Sequence, residues 1–180
     1  MELAKKLRFI IKDSNCIFRS LSASDVTESY IQALKKQRAY LSNNPEDINI
    51  QWQKRYIEKI RLCSSDTICG LFINSELVAS AGIQNLKSDK ATTIGIFVFD
   101  EKLRGKGYGK TLVWASCYLS NNCCNVNYFE AGMERTNVPS LKSFLACGFK
   151  VIDKNEKKIK VGLKIDELKK PKLIDKIIII

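Results

Sequence analysis

Apolar side chains recur along this chain in two rhythms, and the alternation between them outlines its elements. Residues 16–21, CIFRSL, read as a short strand. Ser24 and Asp25 then carry side-chain oxygens of the kind that open a helix, and Tyr30, Leu34 and Leu41 extend it to about residue 42 before Pro45 breaks it. Ile48, Trp52, Tyr56, Ile57 and Ile60 lie close to helical spacing and predict a second helix over 48–62. Stretches 67–73 and 77–86 flank Asn74-Ser75-Glu76 and predict a hairpin. A mostly apolar strand over 92–99 follows, then a glycine-rich loop, a helix over roughly 107–119, a strand over 126–131, a helix over 140–147 and strands around 149–153 and 158–165. The order β-α-α-β-β-β-α-β-α-β-β predicts an α/β protein with a mixed sheet. No glycine, proline or serine-rich linker divides the 180 residues, so 1–180 is expected to form a single domain.

The segment 94–111, IGIFVFDEKLRGKGYGKT, carries the most chemistry. An apolar run enters a charged loop, and glycines at 105, 107 and 109 open a helix. Such a loop suits an anion, because glycine lets backbone approach closely and the first-turn N–H groups of a helix have no partner within it. Lys106 and Lys110 add positive charge. Spacing separates the known phosphate loops. A Walker A loop ending in Gly109-Lys110-Thr111 needs glycine where Arg104 stands, and GxGxxG does not fit glycines at alternate positions. Arg104-x-x-Gly107-x-Gly109 does match one signature, the R/Q-x-x-G-x-G/A of the GCN5-related N-acetyltransferases, or GNAT family, which this chain resembles.

A second motif strengthens the resemblance. Asn137-Val-Pro-Ser140-Leu-Lys-Ser-Phe144-Leu-Ala-Cys-Gly148-Phe149 is similar to the family's N-x-x-S/A-x-x-x-Y/F-x-x-x-G-F helix and turn, in the right order after the first. The resemblance covers about residues 16–167, leaving 1–15 and 169–180 outside. It implies a GNAT fold: a mixed, mostly antiparallel central sheet with a splayed strand pair, flanked by about four helices. Arg19-Ser-Leu21, Asp25-x-x-Glu28-Ser-Tyr30-Ile31 and Tyr56-Ile57 resemble the branch with ribosomal-protein and nucleotide-amino-sugar N-acetyltransferases, and the phrase from Ala131 to Gly148 resembles its sugar-modifying members.

The reaction implied is attack by a neutral amine on the thioester of acetyl-CoA, with no metal. By the resemblance, the strand ending near Phe99 splays from 126–131 and grips the pantetheine as an added strand would. Phe97, Val98 and Phe99 would line that slot, with Phe97 or Val98 giving a backbone donor to the oxyanion. Gly105, Lys106, Gly107, Tyr108, Gly109 and Lys110 would hold the pyrophosphate, Arg104 would shape the loop, and Asn137 would touch the CoA chain or cap its helix. Glu130, set among apolar neighbours that would raise its pKa, is the candidate general base, with pairing to an outer-face lysine as the competing role. Phe144 stands where many members place a tyrosine that protonates the departing thiolate. Water, Cys147 or another tyrosine, Tyr108 or Tyr128, would substitute, or a thiolate of pKa about 8.5 would leave unassisted.

Composition narrows the rest. The chain contains no histidine, which removes Ser-His-Asp and Cys-His hydrolases and HExxH sites. Seven cysteines without CxxC pairs point to reduced thiols, and the start MELAKKLRF lacks a signal-peptide core, so a cytoplasmic protein with no membrane contact is expected. Thirty Lys+Arg against nineteen Asp+Glu give +11, a charge that attracts anionic ligands. The lysines are dispersed rather than interleaved with aromatics, which disfavours nucleic acid. A nucleotide-linked amino sugar is the preferred acceptor; a protein α-amine or another small amine is the alternative. A non-catalytic CoA-binding or RNA-associated domain is the reading from another class, and a homodimer is allowed for.

Overall fold

The computed structural model describes residues 1–11, 13–36, 48–87, 90–99 and 101–180. Among these, nine strands form one sheet with four α-helices against it. The strands are β1 (Leu7–Ile11), β2 (Ser14–Ser20), β3 (Thr67–Ile73), β4 (Glu76–Gln84), β5 (Thr92–Val98), β6 (Tyr128–Glu134), β7 (Lys150–Lys154), β8 (Lys158–Lys164) and β9 (Ile174–Ile179). The helices are α1 (Glu28–Lys36), α2 (Ile50–Leu62), α3 (Tyr108–Cys124) and α4 (Val138–Ala146). Sheet order is β7-β8-β6-β5-β4-β3-β2-β1-β9, antiparallel throughout except for the central β5 and β6. Two parallel neighbours need a crossover, and α3 supplies it.

Local chemistry explains the boundaries. Asn74 and Ser75 both adopt positive φ, 49° and 73°, the conformation of a two-residue turn that matches the twist of the β3–β4 hairpin. Asn49 caps α2 by accepting from the Trp52 N–H at 2.9 Å, and Asn125, at φ 55°, ends α3 in the left-handed region. Val126 and Asn127 follow that cap outside any strand, so β6 starts at Tyr128 and runs on to Glu134, later than the expected 126–131. The helix expected from Ser24 begins as a short 3-10 turn, Ala23–Asp25, and α1 proper starts at Glu28. Asp25 is the reason: its carboxylate takes two bonds from Arg19, at 2.7 and 2.8 Å, and others from the Ser22 N–H and hydroxyl, which fold the segment back as a turn. Leu41 and Pro45, expected to end that helix, lie outside the described residues.

The flanks beyond the resemblance belong to the sheet. β1 and β9 pair with each other, and Leu7, Phe9, Ile11 and Ile174 are fully buried. The larger core lies under α3 and α4, where α3 buries ten of its seventeen residues, as a helix apolar nearly all round must. A smaller core built on Leu21, Tyr30, Ile31, Ile57 and Phe72 seats α1 and α2 on the opposite face.

Candidate functional site

β5 and β6 are paired only where they begin, at Thr92 with Phe129 and Thr93 with Glu130. Beyond that point each strand keeps its other neighbour, β4 or β8, while the two diverge. The opening is therefore lined by strand backbone with no ladder partner. Alternation along β5 decides which groups face it. The Phe99 N–H donates to the Val78 carbonyl at 3.3 Å, so Phe97 and Phe99 turn their backbone toward β4, and Ile96 and Val98 present theirs to the opening. This corrects the expectation that the Phe97 N–H could serve there: it is committed to β4, and Ile96, not singled out from sequence, takes its place beside Val98.

The side chains divide the other way. Val98 packs toward the larger core, whereas Phe97 and Phe99 lie on the α1–α2 face, their rings 5.3 Å apart and that of Phe99 5.1 Å from Tyr30. Phe97 and Phe99 thus wall the helical side of the sheet rather than the strand opening.

The widening strands lead to the glycine loop. Gly107 is the N-cap of α3 at φ +95° and offers no side-chain cap, so the first-turn N–H groups of Tyr108, Gly109 and Lys110 have neither a carbonyl one turn back nor a cap oxygen. The first bond of the helix runs from the Thr111 N–H to the Gly107 carbonyl at 3.1 Å. Lys106 and Lys110 are exposed beside this terminus, and the Arg104 guanidinium lies 4.0 Å from Glu101 in the loop before it. The glycines have different causes. A Cβ on Gly105, at φ +73°, meets nothing within 4 Å, but one on Gly107 meets Leu173 at 2.8 Å and one on Gly109 meets Ser143 at 2.6 Å. Gly107 and Gly109 therefore admit protein, not only ligand: the C-terminal segment closes on the loop at Leu173, and α4 approaches α3 at Ser143. The Tyr108 side chain is buried in the larger core, leaving only its backbone for the loop.

The second motif lies against the first. Asn137 is the N-cap of α4 and accepts from the Ser140 N–H at 3.2 Å. Phe144 is fully buried, edge to face with Phe149 at 4.9 Å. Cys147 is buried too, its thiol donating to the Lys110 carbonyl at 3.3 Å, and burial pushes its pKa up to about 12. Glu130 stands on β6 at the start of the splay, but its carboxylate meets Lys160 of β8 at 2.7 Å in place of the apolar surroundings expected for it. That ion pair holds the Lys160 ammonium above its ordinary value.

On the helical face a cavity of about 300 Å³ lies between α1, α2 and strands β3, β4 and β5. Sequence reasoning missed it, because its lining comes from distant segments: Tyr30, Trp52, Gln53 and Tyr56 from the helices, Asp66 and Ile68 from the start of β3, and Ser80, Gly82, Gln84, Thr93, Gly95 and Phe97 from the sheet. Asp66 is the only charged side chain among the described lining residues. Thr93 and Gly132 also line a second cleft that holds Glu130, Asp153, Lys158 and Lys160, so the two spaces adjoin where β5 and β6 part. The Tyr30 hydroxyl bonds with Ser80 and Gln53, yet burial raises its pKa to about 12.

A strand opening that leads to a helix N-terminus defines a site for an extended ligand with an anionic end. The family profile described as an acetyltransferase (GNAT) domain matches residues 15–150. Solved structures agree in fold. Mycobacterium smegmatis RimJ in complex with CoA-disulfide is 12% identical at a TM-score of 0.75, covering 93% of this chain and 90% of that one. A chimera of the Vibrio cholerae spermidine N-acetyltransferase SpeG and hSSAT is 15% identical at 0.69, covering 84% and 96%. Campylobacter jejuni N-acetyltransferase PseH in complex with acetyl coenzyme A is 18% identical at 0.62, covering 82% and 98%. No curated protein matches the sequence. The chain belongs to the GNAT acetyltransferases: it is an acetyl-CoA-dependent N-acetyltransferase. Among the described residues no cluster suited to a metal ion occurs, and no helix is long and apolar enough to cross a membrane.

Proposed function

We propose that the chain, acting as one domain over 1–180, transfers the acetyl group of acetyl-CoA to the primary amine of an amino sugar. The observation that carries this reading is the cavity that adjoins the splay at Thr93 and Gly132. Its described lining joins aromatic rings to neutral hydrogen-bonding groups, Ser80, Gln53, Gln84 and Thr93, the combination that suits a hydroxylated ring. Acetyl-CoA would lie with its pantetheine along the open edges of β5 and β6 and its pyrophosphate on the N–H groups from Gly105 to Lys110. Asn137 would border the CoA chain with the part of its carboxamide that the cap leaves over. Backbone N–H groups of Ile96 or Val98 would meet the developing oxyanion. Glu130, beside Thr93 at the fork and in contact with Lys160, would take the proton from the amine. The thiolate would leave without a side-chain acid.

A nucleotide carried by the sugar would place its diphosphate outside the cavity, near Lys158 of the adjoining cleft, in keeping with the +11 charge. Thiol release from acetyl-CoA against a panel of amines, including free and nucleotide-linked amino sugars, polyamines and peptides with free N-termini, tests the reading. Turnover is expected with an amino sugar; turnover confined to peptides or polyamines would move the acceptor, and none with any amine would refute catalysis. Salt then tests the nucleotide. Between ~0.01 M and ~0.15 M ionic strength the Debye length falls from roughly 30 to 8 Å, so kcat/KM for a diphosphate-bearing acceptor should fall. A flat profile would remove the diphosphate and leave the sugar.

A further inference from the structure

The acceptor cavity has a bare floor. Gly82 and Gly95 are direct cross-strand partners on β4 and β5, and a Cβ built on either meets nothing within 4 Å. The same is true of Gly132 across the splay on β6. None of the three is at positive φ, so backbone conformation does not demand glycine at these positions. Glycine inside a strand weakens it and often marks a place where another group must approach the backbone closely. All three line the cavity, so the space kept free of side chains is the cavity itself.

A second feature points into the same space. Gln53, on α2, is only 4% exposed. Among the described residues its carboxamide makes one hydrogen bond, a long one of 3.4 Å from Nε2 to the Tyr30 hydroxyl, and its oxygen has no partner. Among the described residues the buried side-chain atoms without a partner are the Ser116 and Ser120 hydroxyls, so the Gln53 oxygen is not sealed in the protein and is open to accept from a group in the cavity that Gln53 lines. Next to it, Trp52 and Tyr56 are stacked at 5.2 Å with their planes within 9°.

We propose that Gly82, Gly95 and Gln53 set the acceptor specificity. The ring of a hydroxylated amine lies on the Gly82–Gly95 backbone and donates a hydroxyl hydrogen bond to the Gln53 carboxamide oxygen. This rests on the acceptor role given to the cavity above and adds what that role leaves open: preference for a hydroxylated ring over a narrower linear amine, enforced by missing side chains.

The test compares kcat/KM for D-glucosamine and for linear 5-amino-1-pentanol, at saturating acetyl-CoA, in the parent and in Gly82→Val, Gly95→Val, Gly95→Ala and Gln53→Leu. A valine should fill the floor, so the glucosamine-to-aminopentanol ratio should fall at least about ten-fold in each valine variant and less in Gly95→Ala, a range typical of pocket methyl groups. Gln53→Leu should raise KM for glucosamine more than for the linear amine. Calorimetric affinity for acetyl-CoA and the thermal midpoint establish that each variant is folded, and Gly95→Ala serves if a valine variant is not. A ratio within two-fold of the parent in a folded valine variant, or a parent enzyme that acetylates aminopentanol but not glucosamine, would overturn the proposal while leaving N-acetyl transfer standing. A parent inactive on every amine would instead refute the acceptor role beneath it.

Discussion

Replacing Phe144 by tyrosine restores the hydroxyl that many GNAT members carry at this position, and it should not restore an acid. The ring is fully buried and sits edge to face on Phe149, inside the core shared by α3, α4 and the sheet. A para hydroxyl there has no partner in view, a loss of about 1–3 kcal/mol, and the added atom overpacks a dense core for a further ~1–3 kcal/mol. With each kcal/mol worth ~2–4 °C in a domain of this size, the thermal midpoint should drop on the order of 10 °C. Turnover measured well below the new midpoint should stay within a few-fold of the parent. Cys147 cannot fill the role either. Its thiol, pushed up to about 12, would have to protonate a leaving thiolate of pKa about 8.5, uphill by roughly 5 kcal/mol. Circular dichroism melts and thiol-release rates check the pair together. An unchanged midpoint with a turnover raised ten-fold or more in Phe144→Tyr would mean that the ring edge reaches the cleft and that acid assistance limits the reaction.

Gly107→Ala should lose about 1–3 kcal/mol from its φ of +95° and the approach to Leu173, and adding Leu173→Ala should recover part of it; strict additivity in denaturant unfolding would show that the two do not touch. Glu130→Gln should lower kcat by ~10²-fold or more with acetyl-CoA affinity unchanged, and a loss under three-fold would remove Glu130 from proton transfer. For Asp25, burial disfavours the charge, but bonds from Arg19 and Ser22 outweigh it and hold the carboxyl below its usual range. A depressed folded pKa stabilises above the unfolded value and is lost as pH falls through the folded one. Asp25→Asn should therefore cost ~1.5–3 kcal/mol at pH 7, with the gap closing below about pH 4; a gap that persists at pH 2 would refute the ion-pair account. Among the seven thiols, Cys63, Cys123 and Cys124 should react with a disulfide reagent in the native state, while buried Cys16, Cys69, Cys117 and Cys147 should wait for unfolding.

Much of the fold was legible because its local signals agree. Apolar spacing located α2, turn chemistry located the β3–β4 hairpin, and the glycine motif followed by a helix located the β5–α3 crossover. What failed did so where tertiary pairing outranks local pattern. Nothing in 1–15 or 169–180 marks β1 and β9 as neighbours, since their pairing joins residues more than 160 positions apart, Leu7 with Ile179 and Ile11 with Ile174. Asp25 looked like a helix opener because an acidic residue after serine usually is one; Arg19, six residues upstream, turned it into an anchor instead.

The site divides along the same line, and the division carries a physical lesson about this fold. The proposed donor half is contiguous in sequence: Gly105 and Gly107 at positive φ and the uncapped start of α3 lie on one short loop, as a phosphate cradle would require. Even there the sequence hides a second demand: Gly107 and Gly109 are also small because Leu173 and Ser143 must reach them, so the loop's shape depends on a segment outside the motif. The acceptor half proposed for the cavity has no contiguous signature at all. Gly82, Gly95 and Gly132 each read alone as a strand glycine, and only the β4–β5 register, with the parallel start of β6, lays them in one floor beneath α2. A site whose specificity comes from absent side chains leaves no residue to notice in a sequence. It becomes visible only when the strands are side by side, and on this proposal a side chain added at Gly82 or Gly95 would alter the acceptor without touching the loop proposed to hold acetyl-CoA.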